Sequence, residues 1–526
     1  MRFFNTAGPC NTAKHYTLPS EARLPGIDRL ISRELYFILH APRQTGKTTA
    51  MKALAQRLNA EGTYAGLYFS CETARPFPED VYAAERAIGA AIRRTAAATL
   101  PEEQRLPPEV DAPVGGWLHA QLSAWAAACP KPLVLVFDEI DAVEGASLKS
   151  VLSQLRDGYI SRSTAPFPHS VVLCGVRDVR DYKVASGGSS RLGSSSPFNI
   201  KTKSLRLGNF SEADVRALYT QYTEESGQPF TDEALALAWH LSGGQPWLVN
   251  ALAAQAVDEL EIPLDRPITV DHIREAKERV ILQRQTHLDS LLARLQEDRV
   301  RRVLEPIIAG SLPDLPTFDD DFSYAVDLGL VTPTRPPVIA NPIYREVILR
   351  VLASGAEAGI IADRRGFILA DGRLDMPGLL EGFVGFWVQH GEILARGMGY
   401  QEAAPHLVLM AWLHKIVNGG GVIEREVGIG TERIDLLIRW PYTDESGQRA
   451  WQAEAFEIKA YRDRDKGKNP LNKGLAQLDA YLDRLGFDTG VLAFFDDRTA
   501  APDIDERTGI GPTQTPGGRT ITLLRG

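Results

Sequence analysis

The sequence predicts a multidomain α/β protein on three observations. Apolar runs of strand length alternate with amphipathic helical stretches through the first half of the chain, which implies a mostly parallel sheet with helices on both faces. A Gly-Lys-Thr loop joins one such run to a helix. A second set of β-like runs near the C-terminus carries acids and a lysine at alternating positions.

Length and composition agree with this. The 526 residues predict about three to four domains. Apolar residues make up 44% and charged residues 24%, ordinary for a chain that packs cores and unlike a disordered one. The net charge of −9 excludes a uniformly basic DNA-coating protein but leaves room for a local basic groove. The four cysteines, Cys10, Cys71, Cys129 and Cys174, are too few and too scattered for a disulfide framework or a zinc ribbon. With no signal-like N-terminus and no run of membrane-spanning length, the expectation is a cytoplasmic protein without a membrane partner.

Taken in order, Tyr36–His40 is a short apolar strand, and Thr48–Asn59 a helix with Met51, Leu54 and Leu58 on one face. Strands follow at Ala65–Ser70, Leu133–Phe137 and Val171–Cys174, with a fifth at Ser204–Leu207. Proline-rich stretches at Pro76–Pro78 and Pro101–Pro113, and the glycine-serine stretch Ala185–Pro197, read as loops. Ser211 with Asp214 marks a helix start. Helices run from there to about Leu260 and again from about Val270 to Leu352. The last segment opens with helices and closes with β-like runs at Arg433–Trp440, Ala453–Tyr461 and Thr489–Phe495. The predicted domains are 1–265, 266–355 and 356–526.

The strand Tyr36–His40 runs directly into Ala41, Pro42, Arg43, Gln44, Thr45, Gly46, Lys47, Thr48 and Thr49. A strand, a tight loop and a helix in this order make a phosphate-binding Walker A loop. Its backbone N–H groups and the helix N-terminus cradle phosphates, Lys47 reaches the β- and γ-phosphates, and the Thr48 hydroxyl ligates Mg²⁺. Ala41 stands where the first glycine usually stands. The partner is Leu133–Asp141, an apolar strand ending in two acids. Asp138 is expected to hold Mg²⁺ through water, and Glu139 to polarise the attacking water. The strand Val171–Cys174 leads to Arg177, a candidate nucleotide sensor or, equally, one half of a surface ion pair with Asp178. Gly243–Pro246 is a rigid turn at a helix junction, either a lid contact to the nucleotide or simply a turn.

These segments in this order resemble the AAA-like ATPases close to the STAND and archaeal-type P-loop ATPases. The resemblance covers roughly residues 1–260 and implies ATP and Mg²⁺, a helical lid and self-assembly into homo-oligomers. It also places the segment before the loop near the adenine, with Tyr16 and Arg23 as candidates. The helical region up to Leu352 resembles a winged-helix domain, through Leu328–Val331 and Ile339–Val347.

The C-terminal segment carries different chemistry. Asp435 lies in one strand-like run, and Glu457 and Lys459 share one face of the next. Two neighbouring strands could bring the three together. Paired carboxylates bind Mg²⁺ or Mn²⁺, and a lysine beside them orients water or neutralises developing charge. The arrangement resembles the PD-(D/E)XK nuclease superfamily over roughly residues 400–500. That resemblance implies a restriction-endonuclease-like α/β fold, with Asp435 and Glu457 on the metal and Gln477 on the following helix near it. It also implies nucleic acid, with DNA favoured, as the partner. The first helix of this segment holds His406 and His414 but no interior acid, and the nearest acids are Glu402 and Glu424. Lys459, Arg462, Arg464, Lys466, Lys468 and Lys473 form a locally basic stretch beside the site, interleaved with Asp463 and Asp465.

The full expectation is therefore a P-loop NTPase parallel sheet with a helical lid, a winged-helix-like connector and a nuclease-like domain. Its function reads as an ATPase whose nucleotide state controls a metal-dependent nuclease, in defence or mobile-element biology. The alternative is a STAND-like switch whose C-terminal domain is a partner-released effector or a non-cleaving nucleic-acid-binding module.

Overall fold

The computed structural model describes the chain apart from residues 20–22, 176–202, 284–292, 309–319, 358–363, 392–402, 418–419, 430–431 and 466–468. Two compact units divide it. One joins Met1–His287 to Phe318–Val331, and the other joins Leu288–Thr317 to Thr332–Gly526.

The first unit is built on α1 (Ile27–Ser32), β1 (Tyr36–His40), α2 (Lys47–Glu61), β2 (Ala65–Ser70), α3 (Val81–Thr99), α4 (Trp117–Ala128), β3 (Leu133–Asp138), α5 (Gly145–Ser161), β4 (Ser170–Gly175) and β5 (Lys203–Arg206). The sheet order is β2-β3-β4-β1-β5, and every pairing is parallel. Parallel strands need helical crossovers, so the central ones are covered on both faces and must be apolar throughout. β1, β3 and β4 are buried at every residue. One face packs Phe69, Trp117, Trp125 and Phe137 beneath α3, α4 and α5. The other packs Leu30, Phe37, Met51 and Leu54 beneath α1 and α2. This places β4 between the strand that enters the phosphate loop and the strand that ends in Asp138.

Four helices follow: α6 (Glu212–Ser226), α7 (Asp232–Ser242), α8 (Pro246–Ala254) and α9 (Val270–Leu282). Ser211 and Asp214 form a reciprocal capping box on α6, which satisfies two of its free N–H groups. The turn between α7 and α8 is fixed by Gly244, whose φ is 68°. A Cβ there would lie 1.9 Å from the Phe210 carbonyl oxygen, while the Phe210 N–H donates to the Gly244 carbonyl at 2.8 Å.

Residues 266–355 divide between the units. α9 packs on α7 and α8, whereas α10 (Asp298–Ile308) belongs to the second unit. α11 (Asp320–Asp327) returns to the first. There His40 Nδ1 lies 3.2 Å from Asp327 Oδ1, and Arg206 Nη2 donates to the Val326 carbonyl at 2.8 Å. α12 (Pro342–Glu357) belongs to the second unit. The winged-helix expectation finds helices here but no strand among the described residues. Thr332–Val338 is instead a turn closed by the Thr332 N–H on the Val338 carbonyl at 2.8 Å.

The second unit continues with α13 (Met376–Phe386), α14 (Ala404–Val417), β6 (Val422–Ile429), β7 (Glu432–Thr443), β8 (Arg449–Tyr461), α15 (Leu471–Leu485), β9 (Val491–Asp496), β10 (Gly509–Gln514) and β11 (Thr520–Arg525). The sheet order is β10-β11-β9-β8-β7-β6. β6, β7 and β8 are antiparallel, and β9 joins β8 in parallel. Leu436, Ile438, Phe456 and Ile458 point into the core under α13 and α14. Leu437, Ala455 and Leu492 point to α15, through Leu478 and Leu482. Among the described residues no helix is long and apolar enough to cross a membrane.

Gly244→Ala should destabilise the first unit by about 2–4 kcal/mol, because a positive φ and a backbone clash add. Thermal unfolding checks it, and an unshifted transition would remove the turn from the account.

Candidate nucleotide site and carboxylate site

The loop after β1 is held from all sides. Gly46, at φ 89°, caps α2 from the left-handed region, and Gln44 is left-handed at φ 57°. A non-glycine residue pays for that conformation, so neighbours must hold it. Thr45 Oγ1 donates to the Pro42 carbonyl at 2.8 Å. Arg23 Nη2 donates to the Thr45 carbonyl at 2.9 Å. Gln245, from the Gly243–Pro246 turn, donates through Nε2 to the Gln44 carbonyl at 3.3 Å. Ala41 is not among the residues with positive φ, so the missing first glycine costs the loop nothing there. Lys47 Nζ donates to the Ala41 and Pro42 carbonyls, both at 2.8 Å.

The two motifs meet. Thr48 Oγ1 donates to Asp138 Oδ2 at 2.8 Å. Tyr68 OH donates to the same oxygen at 2.7 Å, and the Glu139 N–H donates to Asp138 Oδ1 at 2.9 Å. Asp138 itself is 1% exposed. Glu139 follows with φ 54°, a bend that turns its carboxylate away from the strand direction. Burial pushes the Glu139 pKa up, Asp141 and Asp138 add to that, and Lys47 pulls the other way. A carboxylate with raised proton affinity is the better general base.

A cavity of about 380 Å³ opens at this point. Gly46, Lys47, Thr48 and Glu139 line it where α2 presents its N-terminal N–H groups. Asn5, Cys10, Trp247 and Asn250 line it too, and Arg43 and Arg75 add positive charge to the wall. The N-terminal segment is pinned at both sides: the Cys10 N–H donates to Thr49 Oγ1 at 3.1 Å, and Trp247 Nε1 donates to the Thr6 carbonyl at 2.9 Å. Tyr16 does not line the cavity. It is buried against Phe4, ring centres 4.8 Å apart. Arg23 braces the loop instead of facing the cavity, its guanidinium 4.7 Å from the Phe210 ring centre. Arg177 lies outside the described residues. Tyr68, Asn250 and Trp247 escaped the sequence reading. Each is one side chain in an ordinary apolar run, and only the tertiary fold brings it here.

In the second unit, the β7–β8 ladder pairs Leu436 with Phe456 as its last rung. One step further the Asp435 side chain takes over: its Oδ2 accepts the Ile458 N–H at 2.8 Å. Lys459 Nζ contacts Glu457 Oε1, and Glu457 is 1% exposed. Burial raises the Glu457 pKa, and Asp435 raises it further against the pull of Lys459. Gly474 of α15 packs on the Lys459 stem, where a Cβ would lie 3.0 Å from Cγ. Gln477 is three residues on, on the same helix face. Glu457 Oε2 and Gln477 Oε1 are buried with no hydrogen-bond partner. The free Oε2 of Glu457, Asp435 in the neighbouring strand and the Gln477 oxygen on the helix packed on Lys459 are oxygen donors of the kind a hard cation takes. Among the described residues, however, no three of the His, Cys, Asp and Glu side chains are already gathered around one metal position.

His406, which the sequence reads as a capping or half-buried side chain and not a metal ligand, is half-buried. Its Nδ1 is buried and unpartnered. Burial pushes its pKa down to about 4, against the opposing pull of Asp435, so it is a neutral imidazole beside the acids. Of the basic stretch, Arg462 is buried, with Nε 3.7 Å from Asp497, and Lys473 is exposed. Lys466, Lys468 and Glu402 lie outside the described residues, as does the Arg464 side chain.

No family model matches the sequence, and no curated protein matches it. Solved structures are similar to it in part. The Walker-type ATPase PABY2304 of Pyrococcus abyssi is 12% identical, covering 66% of this chain and 99% of that one, with a TM-score of 0.46. The Aeropyrum pernix ORC1 protein in complex with DNA is 16% identical over 64% of this chain and 93% of that one, TM-score 0.35. The Thermotoga maritima RuvB Holliday junction branch migration motor is 15% identical over 62% and 93%, TM-score 0.34. At these values the likenesses decide nothing about function, and the residues of the two sites must carry the case.

Gln245 accepts the Leu248 N–H at 2.6 Å as the cap of α8 while bracing the loop. Gln245→Ala should therefore cost about 1 kcal/mol in urea unfolding, with Gln245→Ser recovering most of it. Equal midpoints for all three proteins would deny Gln245 both tasks.

Proposed function

We propose that the chain binds and hydrolyses ATP in the cavity at the α2 N-terminus. The observation that carries this is the 2.8 Å bond from Thr48 to Asp138, which makes one site of a phosphate loop and an acid-ended strand. The loop N–H groups and Lys47 bind the phosphates, with Lys47 leaving the Ala41 and Pro42 carbonyls to do so. Thr48 and Asp138 fit Mg²⁺, Thr48 directly and Asp138 from behind it through water, since Thr48 lines the cavity and Asp138 does not. When bound, Mg²⁺ neutralises charge on the phosphate oxygens. Glu139, at the cavity edge, orients a water and takes its proton. Asn5, Trp247 and Asn250, which line the same cavity, take the base.

We further propose that the second unit is a nuclease-type domain acting on nucleic acid, DNA being the favoured substrate. Asp435 and Glu457 hold Mg²⁺ or Mn²⁺ there, with Gln477 beside them. Lys459 orients the attacking water or neutralises developing charge. The nucleotide state controls this domain through the segment 320–331. That segment rests on the end of β1 through Asp327 and His40, and Gly329 packs so tightly on Pro42 of the loop that a Cβ would lie 2.6 Å from its Cγ. From Val331 the chain continues straight into the second unit. A cytoplasmic location and self-assembly belong to the same reading. A second reading, a module that binds nucleic acid without cutting it, draws on the absence of a third gathered ligand among the described residues.

Lys47→Ala should lower ATP turnover by about 100-fold with an unchanged unfolding transition, and undiminished turnover would refute the nucleotide site. Asp435→Asn or Lys459→Ala should remove Mg²⁺- or Mn²⁺-dependent plasmid cleavage and leave ATP turnover intact. A wild-type protein that binds plasmid but never cuts it, with either metal and with or without ATP, would favour the second reading.

A further inference from the structure

Tyr68 belongs to no motif, yet it reaches the centre of the nucleotide site. β2 pairs with β3 in parallel, with Tyr68 opposite Val136 and Ser70 opposite Asp138. The phenol thus leans two residues forward across the neighbouring strand to donate to Asp138 Oδ2 at 2.7 Å. Tyr68 and Thr48 donate to Oδ2 and the Glu139 N–H to Oδ1, and the Cys174 thiol also hydrogen-bonds the acid. Tyr68 is half-buried, and Lys52 Nζ stands 5.2 Å from its ring centre.

The two donors on Oδ2 have different futures. Thr48 lines the cavity, and a hydroxyl that turns to a metal must release Asp138. Tyr68 has no such second task. We propose that Tyr68 is a positioning residue for metal-nucleotide binding: it keeps Asp138 facing the metal position after Thr48 has turned away. Without it, Asp138 would lose the one phenol on Oδ2 and keep the Glu139 N–H on Oδ1 and the Cys174 thiol beside it. A carboxylate that has lost its two hydroxyl donors is less firmly oriented, and the missing ordering must then be supplied when the metal binds. The chemical class served is a divalent cation carried by a nucleoside triphosphate. This inference rests on the ATPase reading and sharpens it.

Tyr68→Phe removes the hydroxyl and keeps the ring, so packing against the α2 side survives. Two titrations separate positioning from a merely structural role. The first measures ATP binding by calorimetry in EDTA, and the second measures Mn²⁺ binding by EPR in the presence of saturating ATP. The expected result is metal-free ATP affinity within twofold of wild type and Mn²⁺ affinity weakened about tenfold. The Mg²⁺ concentration for half-maximal turnover should rise by a similar factor, with kcat at saturating Mg²⁺ little changed. Equal Mn²⁺ affinities in the two proteins would overturn the proposal, as would a parallel loss of metal-free ATP binding and thermal stability. Failure of the wild-type protein to bind ATP at all would instead refute the ATPase reading, and the positioning role with it.

Discussion

Thr48 and Asp138 stand 90 positions apart in the sequence and 2.8 Å apart in space. Much of the first unit is arranged so that this is so. β4 lies between the strands that carry the two motifs, which aims both strand ends at one point above the sheet. Helices on both faces bury the strands completely and so fix their relative height. A parallel sheet of this kind places its ligand beyond the carboxyl ends of the strands, where successive loops diverge. The cavity lies there, and the loop lines it.

The loop is also costly to hold, and that explains its many braces. Gln44 and Glu139 sit at positive φ without being glycine, and strained backbone of this sort persists only where surroundings over-determine it. Arg23 from before β1, Gln245 from the turn before α8 and Pro42's contact with Gly329 all bear on the same few residues. Each brace belongs to a different part of the first unit. A change in the loop is therefore felt at three separate places in the first unit.

Much of this was legible in the sequence, for identifiable reasons. β1 and β3 are central strands, and centrality forces continuous apolar runs that stand out. The helix after the loop and the capping box at Ser211 use residues whose local chemistry is nearly diagnostic. In the second unit, the alternation around Asp435 and Glu457 already separated core from site, and Leu436, Ile438, Phe456 and Ile458 do share one core. What escaped depends on tertiary context. β10 holds Gly509, Gly511 and Pro512, residues that argue for turns, and it forms a strand because β11 pairs with it. Tyr68 and His406 are single side chains whose importance comes from what the fold sets beside them.

The central claim is that Thr48 and Asp138 act as one metal-nucleotide site, and a double-mutant cycle tests it most directly. Mg²⁺-ATP affinity would be measured by calorimetry for the wild-type protein, Thr48→Val, Asp138→Asn and the double variant. Residues that share one network couple, so the second substitution should cost less in the presence of the first, with an interaction energy of about 1 kcal/mol or more. Losses that add to within about 0.3 kcal/mol would mean that the two groups serve the nucleotide independently or not at all, and the account would fail at its centre.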